Sequence, residues 1–516
     1  MKARALIVAL TLIGGRVLLA QAKPVPLARL LAQAKPVPLD SQWPRSQMPA
    51  PLPAHAVPFP PYQIKTLANG LQVVVVLQRE EPSVSFRLLV RAGAAQEPID
   101  KPGVASFAAT LLNQGTTTWS AEQIADVIDA AGGVLATGSD NELAYVNGAV
   151  LKDRTDLALS VAANIAEHPA FAPAEIDRQR KQALSTLDVS YDDPSYIANA
   201  VFDRIVFGMN PYGRPNEGTP ASIAKLTRDD LVAFHRTWFA PNNALLALVG
   251  DFASADEAFG AAERAFGSWP KKAVPTPVVV APPEPARRLV IVDRPGSAQT
   301  EIRVGQLSIA RTNADYLPFD LAVHVLGGEG ANRLFGVLRT ERGLTYGAEA
   351  QLHAYRSSGE VEADTNTRSA ETGEVLRLIV EEIARLRDET VDPRELRGAQ
   401  DYIEGSFPLT IETPGNIALL VLNQLFYGLD LKELDTFAQR VHAVTVGDLR
   451  RVANQYLRPD ALTIVLVGDA STFADQLKAL GFGEADRIPL ADLDLGSPTL
   501  RRPARGASSG AVRSIR

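Results

Sequence analysis

The sequence predicts an α+β protein made of two homologous domains, each a mixed, mostly antiparallel sheet covered by helices. Three observations carry that expectation. Segments on either side of a proline cluster match after a constant displacement of 218 positions, as from Thr227 to Thr445, and repetition on this scale means that one folding unit is used twice. Strand-like and helix-like apolar periodicities occur together within each half, the pattern of sheets covered by helices. A chain of 516 residues, 46% hydrophobic and 22% charged, is also long enough to bury two substantial cores.

The repeat is specific. Leu226-Thr-Arg-Asp-Asp-Leu231 answers Val444-Thr-Val-Gly-Asp-Leu449, each opening a helix with a threonine cap and an acid near the positive end of the helix dipole. Pro241 answers Pro459, and Leu245-Leu-Ala-Leu-Val-Gly-Asp251 answers Leu462-Thr-Ile-Val-Leu-Val-Gly-Asp469, an apolar run of buried-strand type stopped by glycine.

In chain order, Lys2 and Arg4, the apolar stretch from Ala5 to Ile13 and the small-residue site Ala20-Gln21-Ala22 predict a secretory signal peptide over 1–22, placing the mature protein in the periplasm or outside the cell. A mitochondrial-type presequence is the weaker alternative, since the segment holds no acid. Arg16 leaves the apolar run too short for a stable membrane span. Gln21–Leu27 recurs as Gln33–Leu39, so cleavage after Ala34 is a second option. Residues 23–60 form a proline-rich leader, 61–270 the N-terminal domain, 271–287 a proline-rich linker and 288–490 the C-terminal domain. Residues 491–516 turn to Gly, Ser, Pro and Arg and are expected to be a disordered tail.

Within the first half, Asn69-Gly70 predicts a hairpin between extended segments near Ile64 and at Leu71–Leu77, followed by a strand over Val84–Val90. Ser120 and Gln123 form a capping box before a helix whose apolar face is Ile124, Val127, Ile128 and Ala131. In the second half Leu376, Ile379, Val380, Ile383 and Leu386 form the same kind of stripe.

Composition excludes several functions. The chain has no cysteine, which removes disulfides, thiolate metal sites and thiol nucleophiles. A net charge of -7 without a basic run in the folded part argues against nucleic-acid binding. Of the six histidines, no two stand close enough to form a ligand pair on one helix. No Gly-x-Ser-x-Gly nucleophile elbow occurs.

Leu67-Ala-Asn-Gly-Leu71, Gly103-Val-Ala, Gly115-Thr116, Asp192-Asp-Pro194 and the repeated Val-Gly-Asp strand ends together resemble the pitrilysin and insulinase superfamily of zinc peptidases. The resemblance runs from about Tyr62 to Pro489 and is best to its two-domain bacterial heterodimeric and mitochondrial-processing-peptidase-like members. It implies an inverted His-x-x-Glu-His motif on the helix after Gly103. The corresponding positions here are Ser106, Ala109 and Thr110, none of which replaces imidazole or carboxylate as a zinc ligand. The distal acid of the family falls near Thr186-Leu187, with Asp188 displaced and shorter. The resemblance thus implies no metal and no cofactor in this chain, with zinc expected in a partner subunit.

The second half reads Leu326-Gly-Gly-Glu-Gly-Ala-Asn-Arg-Leu-Phe-Gly-Val-Leu-Arg-Thr-Glu-Arg-Gly-Leu-Thr-Tyr346. The family's arginine and tyrosine, seven residues apart and facing the zinc across the cleft, match Arg339 and Tyr346, with Arg342 the nearest rival for the arginine. Read by residue type alone, they are a helix-end arginine and a packing tyrosine. Gly327, Gly328 and Gly330 form either a cleft-rim loop or a tight turn. The function implied is a non-catalytic, substrate-binding subunit of a heterodimeric zinc metallopeptidase. Its partner would be a homologous chain with an intact His-x-x-Glu-His motif, and its substrate a peptide or unfolded segment. The alternative is a catalytically inert binding or structural subunit, like the family's core subunits in respiratory complexes.

Overall fold

The computed structural model describes residues 57–277 and 280–503. The expected signal peptide, almost all of the leader and residues 504–516 lie outside the described residues.

The first half is a six-stranded sheet in the order β1-β2-β6-β3-β5-β4. Its strands are β1 (Tyr62–Thr66), β2 (Gln72–Leu77), β3 (Ser83–Val90), β4 (Val134–Ser139), β5 (Ala144–Leu151) and β6 (Ala244–Gly250). All pairings are antiparallel except β2 with β6. The β1–β2 hairpin turns at Gly70, whose φ of +91° only glycine tolerates without strain. Asn69 Oδ1 accepts from the Leu71 N–H, and its amide donates to Phe266 O at 2.7 Å, fastening the turn to the helices.

The longer helices here are α1 (Val104–Leu111), α2 (Ala121–Ala130), α3 (Thr155–Glu167), α4 (Pro173–Asp192), α5 (Pro194–Phe207), α6 (Arg228–Trp238) and α7 (Ala255–Phe266). The predicted Ser120–Gln123 box caps α2, with Ile124 and Ile128 buried.

The second half repeats the plan in the order β12-β7-β11-β8-β10-β9. The strands are β7 (Arg288–Asp293), β8 (Gln299–Ser308), β9 (Ala348–Ala354), β10 (Gly359–Arg368), β11 (Thr463–Gly468) and β12 (Asp486–Pro489). The helices are α8 (Tyr316–Gly327), α9 (Thr372–Asp388), α10 (Pro393–Thr410), α11 (Pro414–Tyr427), α12 (Val446–Tyr456) and α13 (Ala470–Ala479). Helices α6 and α12 open with equivalent boxes, Thr227 with Asp230 and Thr445 with Asp448. Each is followed by a proline-started turn and a fully buried strand, β6 or β11. The halves differ at one edge: β1 joins by a hairpin, β12 by parallel pairing with β7.

Each half lends a helix to the other. From α5, Ile197, Val201 and Phe202 join one core with Val290, Val292, Val465 and Val467 of the second sheet. From α11, Ile417, Val421 and Leu422 pack on Val74, Val76, Leu245 and Val249 of the first. Gly305 on β8 shows how close the approach is, because a Cβ there would lie 2.8 Å from the Phe202 ring and 2.0 Å from Val361 O.

The expectation of a disordered tail fails for residues 491–503. Leu493, Leu495 and Leu500 are buried in the core around α5. Arg204 donates to Leu495 O at 2.8 Å and Ser497 O at 2.6 Å. Three leucines among Gly, Ser and Pro supply too little apolar pattern to be read as structure, yet they suffice to fill one groove.

Candidate functional site

Helix α1 carries the positions where the resemblance calls for zinc ligands. Ser106 and Thr110 lie one turn apart on the same face, Ser106 half-buried and Thr110 exposed, while Ala109 is fully buried. The Thr110 hydroxyl donates to Ser106 O at 2.9 Å, the internal bond that threonine makes in helices. Helix α4 packs against α1, but it offers exposed Thr186, buried Leu187 and exposed Asp188 there. An alanine methyl and two hydroxyls do not fit a zinc ion at these positions.

The second half keeps polar chemistry on display. After α8, residues Arg333–Phe335 make one helical turn, and Gly336–Glu341 continue as π-helix, a form often associated with functional sites. Gly343, with φ +61°, reverses the chain. Leu344 O accepts from Thr367 Oγ1 at 2.7 Å, and the Thr345 hydroxyl donates to Asn366 O at 2.7 Å, so the two residues before Tyr346 are pinned to β10. Tyr346 is left 84% exposed, against the packing role its residue type alone suggests.

The Arg339 guanidinium lies 4.4 Å from the centre of the Tyr346 ring and 5.4 Å from that of Phe335, and it donates to Tyr346 O. The two side chains therefore form one stacked cation–π unit. Arg342 points elsewhere, to Glu374 on α9 at 3.1 Å. Geometry thus chooses Arg339 over its rival as Tyr346's neighbour.

The glycines before this segment divide. Gly327 ends α8, where a Cβ would meet Ala350 N at 2.4 Å, and a Cβ on Gly328 would strike the His324 ring at 2.0 Å. Both serve close packing. At Gly330 the nearest atom stands 3.8 Å away, on Phe335, so that position alone has the room of a rim loop.

Sequence reading missed two buried carboxylate sites at the junction of the halves. Glu142 accepts from Tyr212 OH at 2.7 Å, from Arg356 N at 3.0 Å and from Tyr427 OH at 3.1 Å, while burial raises its pKa. It lines a cavity of about 660 Å³ with Arg87, Asn147 and Tyr355. On the second sheet, Glu360 and Glu362 gather with Asp203 of α5 and with His353. Burial pushes Glu362 up to about 7 against the pull of Arg303, raises Asp203 and Glu360, and lowers His353. The visible signal was two acids at alternate positions of a strand, Glu360-Val361-Glu362.

Comparison with known proteins agrees with this architecture. The family model described as Insulinase (Peptidase family M16) matches residues 73–219, and that described as Peptidase M16 inactive domain matches residues 225–403. An uncharacterized zinc protease of Mycobacterium leprae is 26% identical over 399 residues, covering 76% of this chain and 88% of its own. One from Bacillus subtilis is 24% identical over 404 residues, covering 78% and 97%. The crystal structure of a peptidase M16 inactive domain from Pseudomonas fluorescens superposes with a TM-score of 0.74 at 27% identity, covering 79% of this chain and 98% of that one. A Helicobacter pylori protease shares the fold at 22% identity, with a TM-score of 0.74 over 80% of this chain and all of its own. Two family models matched in tandem across more than half the sequence, on a duplicated fold shared with a member of known structure, show that this chain belongs to the pitrilysin-type M16 (insulinase) peptidase family.

Proposed function

We propose that this chain is the substrate-binding subunit of a two-chain M16 peptidase, with its partner a homologous chain that carries the His-x-x-Glu-His motif and the zinc. The observation that carries this reading is Tyr346, exposed at 84% directly after two pinned residues, with Arg339 stacked beside it. A side chain so held and so free is presented to something outside the chain. Zinc in the partner would supply the activated water. The part left to this chain is to position the peptide and to place a guanidinium and a phenol near the oxygen that gains negative charge. Removing one such donor typically costs about 10²- to 10³-fold in rate.

The substrate class is an extended peptide or unfolded segment, held by backbone hydrogen bonds to a sheet edge so that sequence matters little. The expected signal peptide places this work in the periplasm or outside the cell. The test is reconstitution. Neither this chain alone nor a mixture with an unrelated zinc peptidase should gain activity, whereas mixing with its native partner should produce peptide cleavage. A stable assembly of the two that cleaves no peptide would overturn the proposal and leave an inert binding subunit in its place.

A further inference from the structure

On the β9–β10 hairpin, His353 stands directly opposite Glu360 in the ladder, and Glu362 follows two residues later on the same face. One ligand atom from each of the three lies within 4.8 Å of the other two, and among the described residues no other such group of three occurs. Glu360 is 3% exposed, and its Oε2 has no hydrogen-bond partner. A buried oxygen left unmatched is costly, and it points to a ligand that the protein is shaped to receive.

Glu362 Oε1 likewise lacks a hydrogen bond, although Arg303 Nε stands 3.2 Å away. That guanidinium is shared, donating to Asn199 Oδ1 at 2.6 Å and Ser195 Oγ at 2.7 Å. Asp203 adds a third buried acid beside Glu360, and Arg303 is the guanidinium that offsets Asp203 and Glu362.

We propose that His353, Glu360 and Glu362 bind one divalent transition-metal ion of the Zn²⁺ class. One imidazole and two carboxylates form a borderline nitrogen–oxygen set that suits zinc, whereas calcium asks for about six to eight oxygens. Tetrahedral bonds of about 2.0–2.2 Å place ligand atoms about 3.4 Å from each other, so side-chain rotations that shift ligand atoms by up to about 1.4 Å close the set around an ion. The His353 side chain is 39% exposed, which leaves a path in from solvent. The ion would rivet β9 to β10. Through the Glu360–Asp203 contact it would also tighten the seat of α5, the helix lent by the first half. This site is separate from α1 and does not depend on the peptidase reading above.

The full mature chain, stripped with a chelator and dialysed, is titrated with ZnCl₂, MnCl₂ and CaCl₂ while bound metal and melting temperature are followed. One equivalent of Zn²⁺ should bind and raise the melting temperature, with CaCl₂ without effect. His353→Ala and Glu362→Gln should each weaken Zn²⁺ binding by at least about 10-fold, and His442→Ala, at the exposed pair with Glu404, should leave it unchanged. The absence of stoichiometric Zn²⁺ in the wild-type chain would overturn the proposal, as would binding that survives the His353→Ala/Glu362→Gln double substitution. Should that double variant lose its fold, X-ray absorption at the zinc edge of the wild-type chain decides. One imidazole among oxygen donors supports the site, and none or several overturns it.

Discussion

The α1 segment of the first half and the 333–346 segment of the second sit on the same duplicated framework and have opposite chemistry. On α1, Ala109 is buried and the Thr110 hydroxyl is spent on its own helix, so neither imidazole nor carboxylate is offered outward there. On the second segment, two threonine hydroxyls hold the backbone still while Tyr346 projects freely. A fold maintained by caps and buried strands can lose its reactive groups from one half without loss of shape. The exposed pair in the other half is what the proposed substrate role rests on.

Three changes sharpen or break the comparison of the halves. The largest effect is expected at the edge where they differ. Ending the chain after Pro489 removes Leu493, Leu495 and Leu500 and strips Arg204 of two carbonyl acceptors. At about 1.5–3 kcal/mol per buried leucine, the loss should be about 4.5–9 kcal/mol. Urea unfolding would show it, and an unchanged midpoint would mean that the strap contributes nothing.

The second effect is acid sensitivity at a position where the second half carries no imidazole. The Nε2–H of His235 on α6 donates to Ala166 O over 2.8 Å, the ring stacks on Phe239, and burial pulls its pKa from the usual 6.5 to about 4. The equivalent position on α12 is Ala453. His235 is neutral in the fold, whereas the unfolded chain takes up a proton below pH 6.5. The fold therefore loses stability progressively as pH falls from 6.5 to about 4, by about 3 kcal/mol in all, and no further below that. His235→Phe should flatten the fall in stability between pH 6.5 and 4, and an unaltered slope would show that the imidazole is not held neutral.

The smallest effect tests sameness. Thr227→Ala and Thr445→Ala remove equivalent caps and should each cost about 1 kcal/mol. Unequal costs, measured by the same unfolding experiment, would show that the two boxes differ in more than their surroundings.

Much of this was legible in the sequence because it is local. Thr227 and Thr445, the Asn69-Gly70 turn and the apolar runs of β6 and β11 signal their structure within a few residues, and the 218-position displacement joins them into a repeat. The exchange of α5 and α11 was not legible, since Pro194 and Pro414 start helices without saying whose sheet they cover. The buried leucines of the tail are too few to form a pattern. The resemblance singled out Arg339 and Tyr346 by spacing, while the contact of Arg339 with the Tyr346 ring and the ion pair of Arg342 with Glu374, which distinguish the two arginines, depend on the folded chain. His353, Glu360 and Glu362 meet through strand register, which spacing for a helical ligand pair does not detect.

The central claim, that the working chemistry of this chain lies at Arg339 and Tyr346 and not on α1, is tested most directly by peptide cleavage in the reconstituted two-chain enzyme. Arg339→Ala should lower kcat by about 10²-fold or more, while Ser106→Ala/Thr110→Ala leaves it unchanged. An unchanged rate for Arg339→Ala, or a loss confined to the α1 double variant, would contradict the account.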